Sequence, residues 1–376
     1  MPRVYPCGPN RNSQGRKPQD VCDLAPHTQS MTSTDSLSVL VTGGTGFLGS
    51  RLAEILIRQR QCHVRVLARR REKMAAIVSS WDCDTSRLEV IEGDLLSRED
   101  CIAATRNASV IYHLAAGTGT KSYPEAFRNS VVATRNLLDA AVRHAALKRF
   151  VNVSSFAVYM NQNRHRTLDE SCPVEKNPHL RGEAYTYAKA KQDELVAEYG
   201  TKEKIPFVMV RPGVIYGPGK HGITSSRIGL SLFGRFVHLG GKNTIPLTYR
   251  DNCVEAILAA GTTPGIEGQI FNVVDDSLPS SREFLRLYQE YVERLRSIYV
   301  PRILLYLGCL AWEKYCYWSD DQLPPIFNLR TYHAYWKRTA YSNAKLKQLT
   351  GWKPGVPTEE GLRRFFDSCR LAANHD

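Results

Sequence analysis

The 376-residue chain lacks what several large classes of protein require. Its longest uncharged apolar run, Ile303–Trp312, falls well short of the roughly 20 residues a membrane-spanning helix needs. Residues 1–36 have no apolar segment of signal-peptide type. Their Pro, Ser, Gln, Asn and Arg content reads as a disordered leader, with Met31 as an alternative start. Ten cysteines are present, yet none forms a Cys-x-x-Cys pair or a Cys/His cluster, so no metal site is expected. Dispersed thiols of this kind suit a reducing, cytoplasmic compartment. Solenoid repeats are absent, as is any stripe of Lys and Arg interleaved with aromatics, which argues against nucleic acid as a partner. Acid is the scarcer charge: 37 Asp and Glu against 50 Lys and Arg leave a net charge of +13. That balance suits an anionic cofactor, an anionic substrate or peripheral contact with an anionic membrane, and equally a solvated basic surface.

What is present begins with Val39-Leu-Val-Thr-Gly-Gly-Thr-Gly-Phe-Leu-Gly49. Leu37, Val39, Leu40 and Val41 make a run too brief for a helix, as a buried parallel strand should. Gly43, Gly46 and Gly49 follow at three-residue spacing, and Gly44-x-Gly46-x-x-Gly49 satisfies the dinucleotide fingerprint. Glycines there permit a tight turn and close approach of backbone N–H groups to a pyrophosphate. The helix that follows, Ser50–Arg58, presents its positive dipole end to the same charge. Strand, glycine turn and amphipathic helix together predict dinucleotide binding.

Further strands are predicted at Val64–Ala68, Leu88–Ile91, Val110–Leu114, Phe150–Val153 and Phe207–Val210. Helical periodicity runs through Tyr123–His144 and Tyr185–Tyr199. Strands alternating with helices imply a doubly wound, Rossmann-type parallel α/β sheet. After Tyr216 the rhythm changes, and Gly and Pro punctuate the chain. Three parts are therefore expected: a leader, 1–36; a nucleotide-binding domain, 37–215, to which 244–276 returns through a strand at Ile270–Val274; and a smaller C-terminal substrate-binding lobe, 216–243 and 277–373. Within the lobe, Ser281–Leu295 reads as a helix and the aromatic-rich Tyr299–Trp318 as the roof of an apolar pocket or a membrane-surface helix. Tyr341–Pro354 reads as a short helix stopped by Gly351, with Trp352 as a core anchor. Asp251-Asn252 reads as the N-cap of a helix over Val254–Ala260. Lys220-His221 and Arg235 are candidate contacts to an anionic substrate.

Tyr185-Thr-Tyr-Ala-Lys189 places a phenol and an ammonium four residues apart on one helix face. The lysine charge should lower the phenol's pKa, and the tyrosine can then exchange the proton that accompanies hydride transfer. Val153-Ser-Ser155 supplies hydroxyls at the end of a strand, where open α/β sheets bind ligands. A second copy of the pattern, Tyr187 with Lys191, is two residues away and cannot face the same site.

Taken together, these residues resemble the extended short-chain dehydrogenase/reductases, over essentially Leu37 to Phe366. That family includes sugar-nucleotide epimerases and 3β-hydroxysteroid dehydrogenases. Thr42-Gly-x-x-Gly-x-x-Gly49 is similar to its cofactor loop, which adds Phe47 and Leu48 to the cofactor contacts. Gly93-Asp94-Leu95 resembles the segment whose aspartate meets adenine. His113-Leu-Ala-Ala116 resembles the fourth-strand motif, bringing Ala115 and Ala116 beside the cofactor. Arg211-Pro-Gly-Val-Ile-Tyr-Gly-Pro-Gly219 resembles the segment passing the nicotinamide, with Pro212 in contact. In the family pattern a small residue precedes the lysine and an acid follows four later. Ala188 and Asp193 satisfy that for Lys189, so the resemblance selects Tyr185 and Lys189, and likewise Ser155 as the substrate-binding hydroxyl. His113 and Asp94 are expected to shape the cofactor floor.

Two departures are informative. Where NAD enzymes carry an acid, this chain reads Ala68-Arg-Arg-Arg71, with Glu72 beyond it. Arg69 and Arg70 can grip a 2′-phosphate, which predicts NADP(H), with NAD(H) as the alternative. The family's sugar dehydratases have Thr-Asp-Glu where this chain has Ser155-Phe-Ala157, so no acid and base for eliminating water is evident. The expected activity is hydride transfer between NADP(H) and an alcohol or ketone of a hydrophobic, sterol-like small molecule. The region Tyr332–Trp352 loosely resembles the steroid and sterol members. A sugar-nucleotide epimerase and a non-catalytic NADP(H) sensor are the alternatives, and the resemblance allows a homodimer.

Overall fold

Seven short segments rich in Val, Ile and Leu lie side by side in the computed structural model. It describes residues 37–60, 62–117, 122–161, 167–220, 222, 223, 225–319, 323 and 327–373. The expected leader and His221 lie outside these. In chain order the strands are β1 (Ser38–Thr42), β2 (His63–Ala68), β3 (Leu88–Glu92), β4 (Val110–His113), β5 (Arg149–Val153), β6 (Phe207–Pro212) and β7 (Ile270–Val273). Every pairing is parallel, in the order β7-β6-β5-β4-β1-β2-β3. The sheet is doubly wound and Rossmann-like. Strand order reverses between β1 and β4, and at such a switch point the crevice beyond the strand ends takes the ligand.

Period-two alternation gives the inner strands two buried faces. Val39 and Val41 of β1 join one core with Leu52, Ile55 and Leu56 of α1 (Phe47–Arg60). Leu40 points the other way, into a core with Ile111, Phe150, Leu137 and Leu138. The remaining helices of this part are α2 (Arg71–Val78), α3 (Arg98–Thr105), α4 (Tyr123–Phe127), α5 (Ala133–His144), α6 (Ala184–Lys202) and α7 (Arg250–Thr262). The stretch predicted as one helix, Tyr123–His144, is broken by a π-helical turn at Arg128–Val132. That turn carries Ser130, whose hydroxyl accepts the Gly117 N–H at 3.0 Å; such bulges are frequent at functional sites. Asp251-Asn252 does not cap its helix: α7 starts at Arg250, with Tyr249 at the N-cap position. Both side chains are already inside the first turn and serve long-range contacts. Asp251 pairs with Arg51 at 3.1 Å, and Asn252 donates to Asp275 at 2.9 Å.

Beyond Tyr216 the strands Gly229–Leu232, Arg235–Leu239 and Ser297–Val300 form a small separate sheet. Around it lie α8 (Ser281–Tyr291), α9 (Arg302–Trp318), α10 (Leu329–Tyr335) and α12 (Thr358–Ala373), whereas α11 (Ala344–Thr350) puts Leu346 into a core of the main sheet. Helix α8 ends a turn before the expected Leu295. Helix α11 stops at Gly351, which adopts φ +71°. Trp352 is buried in the core of the main sheet, its indole N–H donating to the Asn252 carbonyl at 3.2 Å. No helix among the described residues is long and apolar enough to cross a membrane.

Strand β6 is locked to α6 by a buried ion pair, Arg211 Nη2 to Asp193 Oδ2 at 3.0 Å. Asn152 adds a hydrogen bond to the same carboxylate at 3.2 Å, and the Tyr159 ring faces the guanidinium at 4.8 Å. Removing one member strands the other charge in the interior. Asp193→Asn is expected to lower stability by about 3 kcal/mol in urea unfolding. A loss below about 1 kcal/mol would contradict this reading of the pair.

Candidate active site

The turn between β1 and α1 is built around two close approaches. A methyl group on Gly49 would come within 2.2 Å of the Gly43 carbonyl oxygen, so only glycine lets α1 settle on the turn. Gly43 itself has φ +73°, and a methyl there would meet the Ala115 nitrogen at 2.8 Å. The Gly46 N–H closes the turn onto the Gly43 carbonyl at 2.9 Å. Beyond it the first N–H groups of α1 have no intrahelical acceptor and face a cleft of about 670 Å³.

Almost every predicted site residue lines that cleft. Gly43, Gly46, Phe47, Leu48 and Gly49 form one wall, and Ala115, Ala116 and Pro212 form others. Asp94 and Leu95 lie beyond β3, the Asp94 carboxylate held by the Leu96 N–H at 2.9 Å. Ser155, Tyr185 and Lys189 stand together at the far end. Arg69 lines the cleft too, whereas Arg70 lines an adjoining cavity of about 340 Å³ with Thr45, Arg69 and Lys73. Glu72 lines neither cavity. Nor does any residue of Tyr299–Trp318, the expected pocket roof. Helix α9 packs Leu305 and Cys309 on Tyr332 and Trp336, while Leu304, Leu307 and Trp318 are exposed.

Of the two Tyr-x-x-x-Lys pairs, the structure brings only Tyr185 and Lys189 to the cleft. Tyr187 packs edge-on against Tyr123, and Lys191 pairs with Glu194 on the outer face of α6. Tyr185 and Ser155 line the same stretch of the cleft, and the serine side chain acts on the phenol. Burial raises its pKa above the ordinary tyrosine value, against a lowering contribution from Ser155. Lys189 was expected to depress this phenol, whose pKa burial raises instead. Its ammonium turns inward, donating to the Val153 carbonyl at 2.7 Å and to Gln192 Oε1 at 2.9 Å. Burial brings Lys189 down to about 8.

Behind Lys189 runs a buried polar chain that the motifs did not reveal. Gln192 Nε2 donates to Thr134 Oγ1 at 2.7 Å, and Thr134 donates to the Ser130 carbonyl. The remaining lone pair of Thr134 faces His113 Nε2 at 2.7 Å, while His113 Nδ1 meets Thr42 Oγ1 at 2.7 Å. A donating Nε2–H and an accepting Nδ1 satisfy all of these bonds. His113 is completely buried and lies behind the cleft wall rather than on its floor. The signal for Gln192 was its place one helical turn beyond Lys189.

The residues fit a dinucleotide: a glycine turn a methyl would block, a helix N-terminus beside it, and an acid near the β3 end. A family model described as NAD dependent epimerase/dehydratase matches residues 39–273. The chain belongs to this family. Among curated epimerase/dehydratase-family relatives, it is 27% identical over 365 residues to 3beta-hydroxysteroid-dehydrogenase/decarboxylase isoform 1 of Arabidopsis thaliana, covering 90% of this chain and 80% of that one. Sterol-4-alpha-carboxylate 3-dehydrogenase, decarboxylating, of Candida albicans is 27% identical, with 88% of this chain and 97% of that one covered. A dTDP-D-glucose 4,6-dehydratase of Dictyostelium discoideum is also 27% identical, over 89% and 83%. Among solved structures, UDP-glucuronic acid 4-epimerase of Bacillus cereus superposes with TM-score 0.68 at 20% identity, covering 89% of this chain and 99% of that one. At that identity the likeness concerns the fold.

Burial holds His113 down to about 3, so the folded chain keeps it neutral while the unfolded chain protonates it near 6.5. Between those values the unfolded state binds more protons. The His113 contribution is therefore whole above about pH 6.5 and is lost as pH falls, at up to about 1.4 kcal/mol per unit. From pH 7 to 4.5, wild type should lose stability more steeply than His113→Gln in urea titrations. Parallel curves would contradict a neutral buried imidazole.

Proposed function

We propose that this protein is an NADP(H)-dependent oxidoreductase acting on an alcohol or ketone of a hydrophobic, sterol-like molecule. The convergence of Ser155, Tyr185 and Lys189 on one nucleotide cleft carries this reading. Two curated relatives named for hydroxysteroid and sterol dehydrogenation, each matched across most of both chains, support the substrate class.

A bound nicotinamide dinucleotide supplies or accepts the hydride. Ser155 holds the substrate oxygen, and Tyr185 gives that oxygen its proton or takes it away. Burial keeps the Tyr185 phenol protonated at neutral pH, which suits donation to a ketone during reduction. Lys189 stays cationic below about pH 8 and neutralises above it. Steady-state kcat/KM should therefore fall as pH rises through about 8, and Lys189→Arg should move that limb upward. A flat profile from pH 7 to 10 would count against a charged Lys189. Tyr185→Phe should abolish turnover and leave cofactor affinity nearly unchanged; retained turnover sinks the assignment.

The preference for NADP(H) rests on the cavity lined by Thr45, Arg69, Arg70 and Lys73, three cations with no carboxylate in the lining. Guanidinium pairs grip phosphate bidentately. The double variant Arg69→Ala/Arg70→Ala should weaken NADPH at least roughly tenfold while NADH changes little, by fluorescence titration. Equal or tighter binding of NAD(H) by wild type at matched salt overturns the preference.

A further inference from the structure

Lys220 is the cation in the cleft that the cofactor motifs leave unexplained. It follows Gly217-Pro-Gly219, a loop whose two glycines sit at φ +148° and +92° and which bends around the Phe47 ring. The half-buried side chain lines the cleft, and its ammonium lies 5.1 Å from the centre of that ring. Phe47 is the first residue of α1, so the Lys220 ammonium lies beside the side chain that opens this helix.

Two cations flank Phe47, and they differ in one respect. Arg250, 5.2 Å from the ring centre, is neutralised by Asp251 at 3.2 Å and donates to the Pro218 carbonyl at 3.1 Å. Lys220 donates to the Ile215 carbonyl at 3.0 Å and has no carboxylate partner among the described residues. Burial depresses its pKa. A desolvated ammonium with spare protons and no counter-ion is complementary to an anion.

Resting on the reading of this cleft as a dinucleotide site, we propose that Lys220 binds the cofactor's diphosphate from the side opposite the glycine turn. The turn and the α1 N-terminus then offer backbone N–H groups to one side of the diphosphate. Lys220 offers a full positive charge to the other and ties the Gly217–Gly219 loop to the bound cofactor. Because both nicotinamide cofactors share the diphosphate, Lys220 contributes equally to each, unlike Arg69 and Arg70.

The test compares Lys220→Met, of similar shape without charge, with Lys220→Arg. Dissociation constants are measured for NADPH, NADH and ADP-ribose by calorimetry, with the thermal midpoint of each free protein as the control for folding. Lys220→Met should weaken all three ligands by a common factor of roughly tenfold or more at an unchanged midpoint. Lys220→Arg should restore most of that affinity. Constants within twofold of wild type for Lys220→Met overturn the proposal. They do so equally if KM for an acidic substrate rises, since the anion would then belong to the substrate. Failure of the arginine to rescue binding overturns the argument from charge. Should wild type itself fail to bind ADP-ribose, the reading of the cleft falls, which is distinguishable from the failure of Lys220 alone.

Discussion

The nucleotide cleft depends on the contact between Gly49 and the Gly43 carbonyl. There is no room at that point for even a methyl group, and the chain turns within a few residues from β1 into α1. The consequences spread outward. Helix α1 can lie directly on β1, so Leu52, Ile55 and Leu56 complete one core of the sheet. Its N-terminus ends up at the switch point between β1 and β4, where Ala115 closes against Gly43. The same few residues thus determine packing, position the cleft, and orient helical N–H groups toward an anion.

A second organising feature is the placement of charge. On β6 the buried Arg211 is matched by Asp193. The cations lining the cleft on the cofactor side are not: Arg69, Lys73 and Lys220 take part in no ion pair among the described residues. Unmatched cations are costly in a folded chain unless solvent or a ligand anion compensates. Lys189 is the intermediate case. Its ammonium is buried on neutral partners, Val153 and Gln192, and the His113–Thr134 chain fixes Gln192 in turn. A lysine held by neutral groups keeps its charge adjustable near neutral pH, where proton exchange has to happen.

Much of this was legible in the residues, for identifiable reasons. Parallel strands buried on both faces leave short runs such as Val64–Ala68, and the glycine spacing is specific enough to place the cleft. The strand ends were displaced by one or two residues, because pairing partners rather than side-chain pattern terminate a strand. The π turn at Arg128–Val132 was illegible, since its apolar spacing is nearly that of an α-helix. Asp251 looked like a cap because local preference favours it there, but a 200-residue sequence separation hid its partner Arg51. The Lys189 environment was misjudged for the same reason: its partner Val153 comes from another element, as does Thr134, which holds Gln192. Tyr299–Trp318 holds a helix, Arg302–Trp318, whose apolar face gives no sign of which surface covers it.

The most direct measurement of the central claim is nicotinamide absorbance with product analysis, using NADP(H) and NAD(H) against hydroxy- and keto-sterols and against sugar nucleotides. Net oxidation or reduction of NADP(H), matched mole for mole by interconversion of a sterol alcohol and ketone, is the predicted result. Isomerisation of a sugar nucleotide without net absorbance change, and no turnover of any sterol, would contradict the account and make the protein an epimerase.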